Sequence, residues 1–247
     1  MFQNIPPVTK NILLLNITIF IVALFLASRG MDLHLESHYV NSPLFKPYQM
    51  ITHMFMHSKT DFLHIVFNMF LLVSFGSHLE RIWGPKRFFL FYMASGIGAF
   101  MLYNAMGVIQ IMELKQNLIQ IGYDMDVLNH QITQKQFDQI QLLSNDSQYI
   151  IQEYISYSYS SMVGASGAVF GLLAGFAILF PNTELMLLFP PIPIKAKYLI
   201  GGYLIFEIYN SIYNTGDSIA HLAHVGGAIV GIALVLYWRK TDRNHFY

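Results

Sequence analysis

Six stretches of the chain are apolar over roughly a membrane's depth: residues 11–28, 62–79, 88–112, 162–180, 198–216 and 218–238. A helix needs ~17–25 such residues to cross the hydrocarbon core, so the pattern predicts six transmembrane helices. Only the fifth stretch holds an acid or a base, Glu207. Charge is costly in lipid, and this residue is expected to face the bundle interior. The first stretch follows Lys10 and has 18 uncharged residues. That exceeds the ~7–15 of a signal-peptide core, so it reads as a retained anchor.

The connections differ in character. HLERIWGPKRF and PNTELMLLFPPIPIKAK carry Gly-Pro and Pro-Pro breakers that end one helix and aim the next. The loop at 29–61 mixes prolines and aromatics in PLFKPYQM and is expected to lie on the bilayer surface. Residues 113–160 form an insertion rich in Gln, Asn, Asp and Tyr, with two apolar stripes at helical spacing. Ile111, Leu114, Leu118 and Ile121 make the first; Leu128, Ile132, Ile140 and Leu143 make a weaker second. They predict one or two amphipathic helices outside the membrane. No internal repeat or second domain is visible, so residues 1–247 read as a single transmembrane domain bearing this insertion.

Composition narrows the picture. The 247 residues are 54% hydrophobic and only 11% charged, too little charge to solvate an ordinary globular surface. Zero formal net charge and the lack of any long basic run give no footprint for nucleic acid, leaving the lipid bilayer as the partner that composition implies. Without cysteine there is no disulfide, thiolate metal site or cysteine nucleophile. Six spans put both termini on one side. If that side is cytoplasmic, Lys10, Arg81, Lys86, Arg87, Lys195, Lys197, Arg239, Lys240 and Arg243 face inward, nine of the fourteen basic residues. The density of basic residues in the short loops thus predicts an inner-membrane protein with cytoplasmic N- and C-termini.

The candidate chemistry lies on three of the predicted helices. The fourth opens GASGAVFGLLAG, with Gly164, Gly167, Gly171 and Gly175 three to four residues apart around Ser166. The sixth reads SIAHLAHVGGAIVG, with Gly227 and Gly231 three and seven residues after His224. Small residues at this spacing let helices approach closely, and each pattern alone reads as packing. Together they allow two glycine-lined helices to bring a hydroxyl and an imidazole within the ~2.6–3.2 Å of proton transfer. On the second helix His64 and Asn68, four apart, share a face. They serve either as an interhelical hydrogen bond or, with the Ser166 backbone N–H at a helix start, as donors to a developing oxyanion.

These three motifs, GASGAVFG, AHVGGAIVG and HIVFN, resemble the rhomboid family of intramembrane serine proteases over about residues 45–238, excluding the insertion. The resemblance implies an all-α, six-helix bundle with an extra outer-side helical insertion. It implies a Ser166 nucleophile, a His224 general base and an oxyanion site of His64, Asn68 and the Ser166 backbone amide. Single-span membrane proteins are the substrates it implies, cut near the outer face through an acyl-enzyme, and no cofactor is called for. Where family members often carry a tyrosine that stacks on the histidine, this chain has Phe170, which can stack without a hydroxyl. A Trp-Arg pair common in the first outer loop is replaced by Tyr48-Gln49, so a weaker loop anchor is expected. His221, one turn before His224, is expected to tune or orient it.

Asp217 lies seven residues before His224, too far along a helix to support it, so a Ser166–His224 dyad without an orienting carboxylate is expected. A metal site is the first rival, since His53 and His57 have i, i+4 spacing. No HExxH occurs, a third ligand such as His64 would be needed, and no metal is assigned. The alternative function is a noncatalytic rhomboid-like protein that binds transmembrane clients. A channel or transporter has only the lone Glu207 in its favour. Oligomeric state, including a homo-oligomer, stays open.

Overall fold

The computed structural model describes residues 4–144, 147–186, 190–213 and 221–241. Asp217, Arg243, residues 187–189 of the connection at 181–197, and residues 214–216 and 218–220 of the fifth and sixth apolar stretches lie outside them. The described residues are mostly helical. In chain order they form α1 (Pro7–Ala27), β1 (Ser37–His38), α2 (Gln49–Thr52), α3 (Phe62–Leu71), α4 (Ser77–Ile121), α5 (Met125–Thr133), α6 (Ser147–Tyr159), β2 (Ser161–Met162), α7 (Ser166–Leu179), β3 (Glu184–Met186), β4 (Pro193–Lys195), α8 (Ala196–Tyr213) and α9 (His221–Thr241). A helix thus falls on each of the six apolar stretches. Among the described residues, Pro7–Ala27, Phe62–Ile121 and His221–Thr241 are long and apolar enough to cross a membrane.

Helix ends follow local chemistry. α1 starts at Pro7, whose fixed φ suits the first helical position, but its own preceding residue offers no side-chain cap. The cap comes from Glu80: its carboxylate accepts from Val8 N (2.9 Å), Thr9 N (2.7 Å) and Thr9 Oγ1 (2.8 Å). The negative group also sits at the positive end of the helix dipole. Glu80 is 2% exposed, and Glu80→Ala leaves three donors unpaired in a buried site. This variant is expected to lose about 3 kcal/mol, with Glu80→Gln losing less because its carbonyl still accepts; thermal unfolding in detergent measures both. Asp61 caps α3 and Asp124 caps α5 in the ordinary way, through backbone N–H groups two or three residues on. α3 runs into α4 through a π-helical turn at Leu72–Gly76. α4 breaks at Gly84, whose φ of 76° and ψ of 167° are open only to glycine, and restarts at Pro85. This break is the Gly-Pro signal in the sequence.

The chain divides into two compact units. The first holds Met1–His34, His53–Tyr103 and Val163–Tyr247. Its core gathers α1, α3, α4, α7 and α9 through residues such as Phe20, Met69, Phe88, Tyr92, Leu172 and Val235. α7 is buried along almost its whole length, as expected of a helix apolar on every face. α8 is its opposite, burying only Ala196, Ile200, Glu207 and Asn210 and presenting Tyr198, Ile205, Tyr209 and Ile212 outward.

The second unit holds Leu35–Thr52 and Asn104–Met162. Ile111, Leu114 and Leu118 of α4 pack with Leu128 and Ile132 of α5 and Ile151 and Tyr154 of α6. Both predicted stripes are in this cluster except Leu143, which is exposed, and Ile121. β1 pairs with β2 antiparallel, Ser37 opposite Met162. Gln49 is buried and anchors its loop: its Oε1 accepts from His38 N (3.3 Å) and Lys46 N (3.2 Å), and its Nε2 donates to Leu44 O (3.3 Å). Where the sequence reading expects a weaker anchor for want of a Trp-Arg pair, the Gln49 amide supplies both an acceptor and a donor to the turn.

Candidate active site

The site is built in the first unit, on α7, α9, α8 and α3. α7 and α9 meet backbone to backbone. A Cβ placed on Gly227 would stand 1.8 Å from the Gly167 carbonyl oxygen, and one on Gly231 would stand 2.7 Å from that of Gly171. α4 closes in on the same helix, since a Cβ on Gly226 would lie 2.6 Å from Gly98 O. The glycine stripes on both helices are thus consumed by close packing. The consequence is a short reach between the polar residues beside them: Ser166 Oγ lies 2.8 Å from His224 Nε2.

Ser166 is the first residue of α7, so N–H groups of this first turn have no partner within the helix. Gly164 lies in the turn before α7 rather than on its face, with φ of 122°, and its N–H is tied to the carbonyl of His53 at 2.9 Å. Its missing side chain leaves a gap between two functional groups. The point where a Cβ would stand is 2.8 Å from His64 Nε2 and 3.5 Å from Ser166 Oγ. A side chain here would collide with the His64 ring, so glycine keeps the space between His64 and Ser166 clear. The Ser58 N–H approaches His64 Nδ1 at 3.5 Å, a long contact that favours the tautomer with hydrogen on Nε2, the nitrogen facing the gap. Asn68, one turn along α3, spends one amide hydrogen on His64 O at 2.8 Å.

Phe170 stacks on His224, ring centroids 4.3 Å apart and planes within 8°, and Tyr203 packs behind it at 5.0 Å. The largest departure from the sequence reading concerns the carboxylate. Glu207, placed there simply in the bundle interior, is 2% exposed. Its Oε2 lies 2.8 Å from His224 Nδ1 and 2.7 Å from His221 Nδ1. The expectation that no carboxylate reaches His224 is corrected on this point. Helix α8 delivers the acid from 17 positions earlier in the chain, a relation that no spacing on α9 reveals. His221 touches Glu207, and its ring stands edge-on to that of His224 at 6.3 Å.

The histidines weighed as metal ligands are placed otherwise. His53 holds the turn at Gly164 through its carbonyl, and its ring lies 6.1 Å from that of Phe100. His57 sits with its ring centroid 5.2 Å from that of His64. Among the described residues, the set of three metal-capable side chains with ligand atoms within 4.8 Å is Glu207, His221 and His224, and those atoms already hydrogen-bond one another. Burial, with the neighbouring His64 adding to it, pushes His57 down to about 3. The unfolded chain takes up a proton at this imidazole near pH 6.5 and the folded chain resists until about 3, so His57 adds no pH-dependent cost above neutrality. Between those limits each unit of acidification is expected to cost up to ~1.4 kcal/mol. Unfolding temperatures of wild type and His57→Leu should therefore converge as pH falls from neutrality, if His57→Leu begins lower.

Ser166, His224 and Glu207 thus form one hydrogen-bonded chain beside His64. The Rhomboid domain matches residues 45–112 and 109–241, and the chain belongs to the rhomboid family of integral membrane proteins. It is also similar to Rhomboid protein 1, mitochondrial, of Saccharomyces cerevisiae, 24% identical over 260 residues. That alignment covers 98% of this chain and 59% of the yeast protein, so the chain spans about three-fifths of its relative's length.

Proposed function

We propose that this protein is an intramembrane serine endopeptidase that cuts membrane proteins in or near their transmembrane segments. The observation that carries the reading is the 2.8 Å contact between Ser166 Oγ and His224 Nε2 on two helices locked together by glycine. In the reaction, His224 Nε2 takes the Ser166 proton and Oγ attacks the scissile carbonyl carbon. The carbonyl oxygen, now negative, moves into the gap at Gly164, where His64 Nε2–H, the second amide hydrogen of Asn68 and the first-turn N–H groups of α7 stabilise it. The carbon–nitrogen bond then breaks as the imidazolium gives its proton to the leaving nitrogen. Water, activated by the neutral His224, hydrolyses the remaining ester and frees Ser166.

The reading includes a topology of six spans in one domain with both termini on the inner side, supported by a helix on each apolar stretch and by the asymmetry of Lys and Arg. The insertion and the site then lie toward the outer side. A helical substrate hides its peptide bonds, so cleavage is expected where small or helix-breaking residues let it unwind.

The test is reconstitution in vesicles with a single-span reporter carrying a Gly-Pro break near its outer end, together with labelling by a fluorophosphonate. Wild type is expected to label once, at Ser166, and to cut the reporter; Ser166→Ala and His224→Ala are expected to do neither. Absence of labelling in folded wild type would leave the noncatalytic client-binding alternative in its place.

A further inference from the structure

Glu207 is the one acid in the six apolar stretches, and a single oxygen of it meets two imidazoles. An ionised carboxylate only accepts, so His221 and His224 both present Nδ1–H to Oε2. For His224 this leaves Nε2 without hydrogen, directed at Ser166 Oγ. That is the tautomer a general base requires. The other constraints on the ring are complete: Phe170 covers one face, and the serine and the carboxylate hold opposite edges.

We propose that Glu207 is the positioning residue of the catalytic pair, completing a Ser166–His224–Glu207 relay across α7, α9 and α8, and that His221 secures this carboxylate from α9. The inference rests on the peptidase reading above and deepens it. When His224 takes the serine proton, the positive imidazolium lies against the negative Glu207. The proton stays on the ring, and the carboxylate's work is to fix the tautomer and stabilise the charge. Other groups facing this cluster are Tyr203, one turn earlier on α8, and His64 of α3, which feels charge on His224. Neither brings a second negative charge at neutral pH. Glu207 is thus the counter-ion of the base among the described residues.

The experiment uses the full chain in detergent and follows the rate of Ser166 modification by a fluorophosphonate, read by intact mass across a pH series. Glu207→Gln keeps size and burial but offers an amide N–H to His224 Nδ1, which favours the wrong tautomer. It is expected to slow labelling by ~100-fold or more while unfolding within a few degrees of wild type. Glu207→Asp should recover part of the rate. His221→Ala should slow labelling about tenfold, a smaller effect, and an unchanged rate would remove His221 from the device. Labelling of Glu207→Gln within threefold of wild type would overturn the proposal, as would a loss that only follows the folded fraction. Ser166→Ala separates the two readings: if it still labels at full stoichiometry the peptidase reading itself falls, whereas a silent Ser166→Ala beside an active Glu207→Gln defeats the relay alone.

Discussion

Ser166→Ala, His224→Ala and the double variant are expected to reach the same floor of reporter cleavage, about 10⁵–10⁶-fold below wild type. The reason is that in the proposed reaction the hydroxyl and the imidazole act in one step. Without His224 the serine keeps its proton and is a poor nucleophile; without Ser166 the imidazole has no attacking oxygen to activate. The second substitution therefore removes nothing that the first left standing, and the combined loss falls far short of the product of the two. Vesicle cleavage measured for all three variants decides it. Losses that multiply would mean that the 2.8 Å contact is incidental and that the two residues serve separate purposes.

The next largest effect is expected at Gly227. Its added Cβ would stand 1.8 Å from the Gly167 carbonyl oxygen, a distance no side-chain rotation relieves because the obstructing atom is backbone. Gly227→Leu must push α9 from α7 over the whole contact, opening Gly231 against Gly171 as well. Overpacking of this kind costs ~1–3 kcal/mol in ordinary cores and more where backbone cannot yield, so a loss above about 3 kcal/mol is expected. Fluorophosphonate labelling should disappear even in the fraction that stays folded, since an ångström of separation at the glycines carries through to Ser166 and His224. Unfolding temperature and labelling stoichiometry, measured on one sample, test both statements. A folded, fully labelling Gly227→Leu would refute the backbone contact.

The sequence made some of this legible and hid the rest for identifiable reasons. Hydropathy is a local property, so the six apolar stretches could be read directly, as could the glycines that pack α7 on α9. The end of α4 could not. The apolar run stops at Met112, but ELKQNLIQI beyond it consists largely of good helix formers, and the helix continues to Ile121 before Gly122, with φ of 108°, breaks it. Gly164 looked like a member of the helical glycine face because spacing alone cannot reveal that its φ is positive. Glu207 was visible as an acid stranded in an apolar span, a signal of function in itself, but its partners come from another helix. Local periodicity carries no record of which helices become neighbours. His57 gave still less: its place against His64 depends on the fold of the turn between them.

The clamp between α7 and α9 has a consequence for how a substrate can arrive. A transmembrane segment is about 10 Å across, and in the proposed peptidase threading it between these two helices would separate Ser166 from His224 before any bond could be cut. Entry has to leave that seam shut, and so must come over another border of the bundle. Recognition and bond cleavage are in this way assigned to different walls of one small enclosure, one that yields and one that cannot.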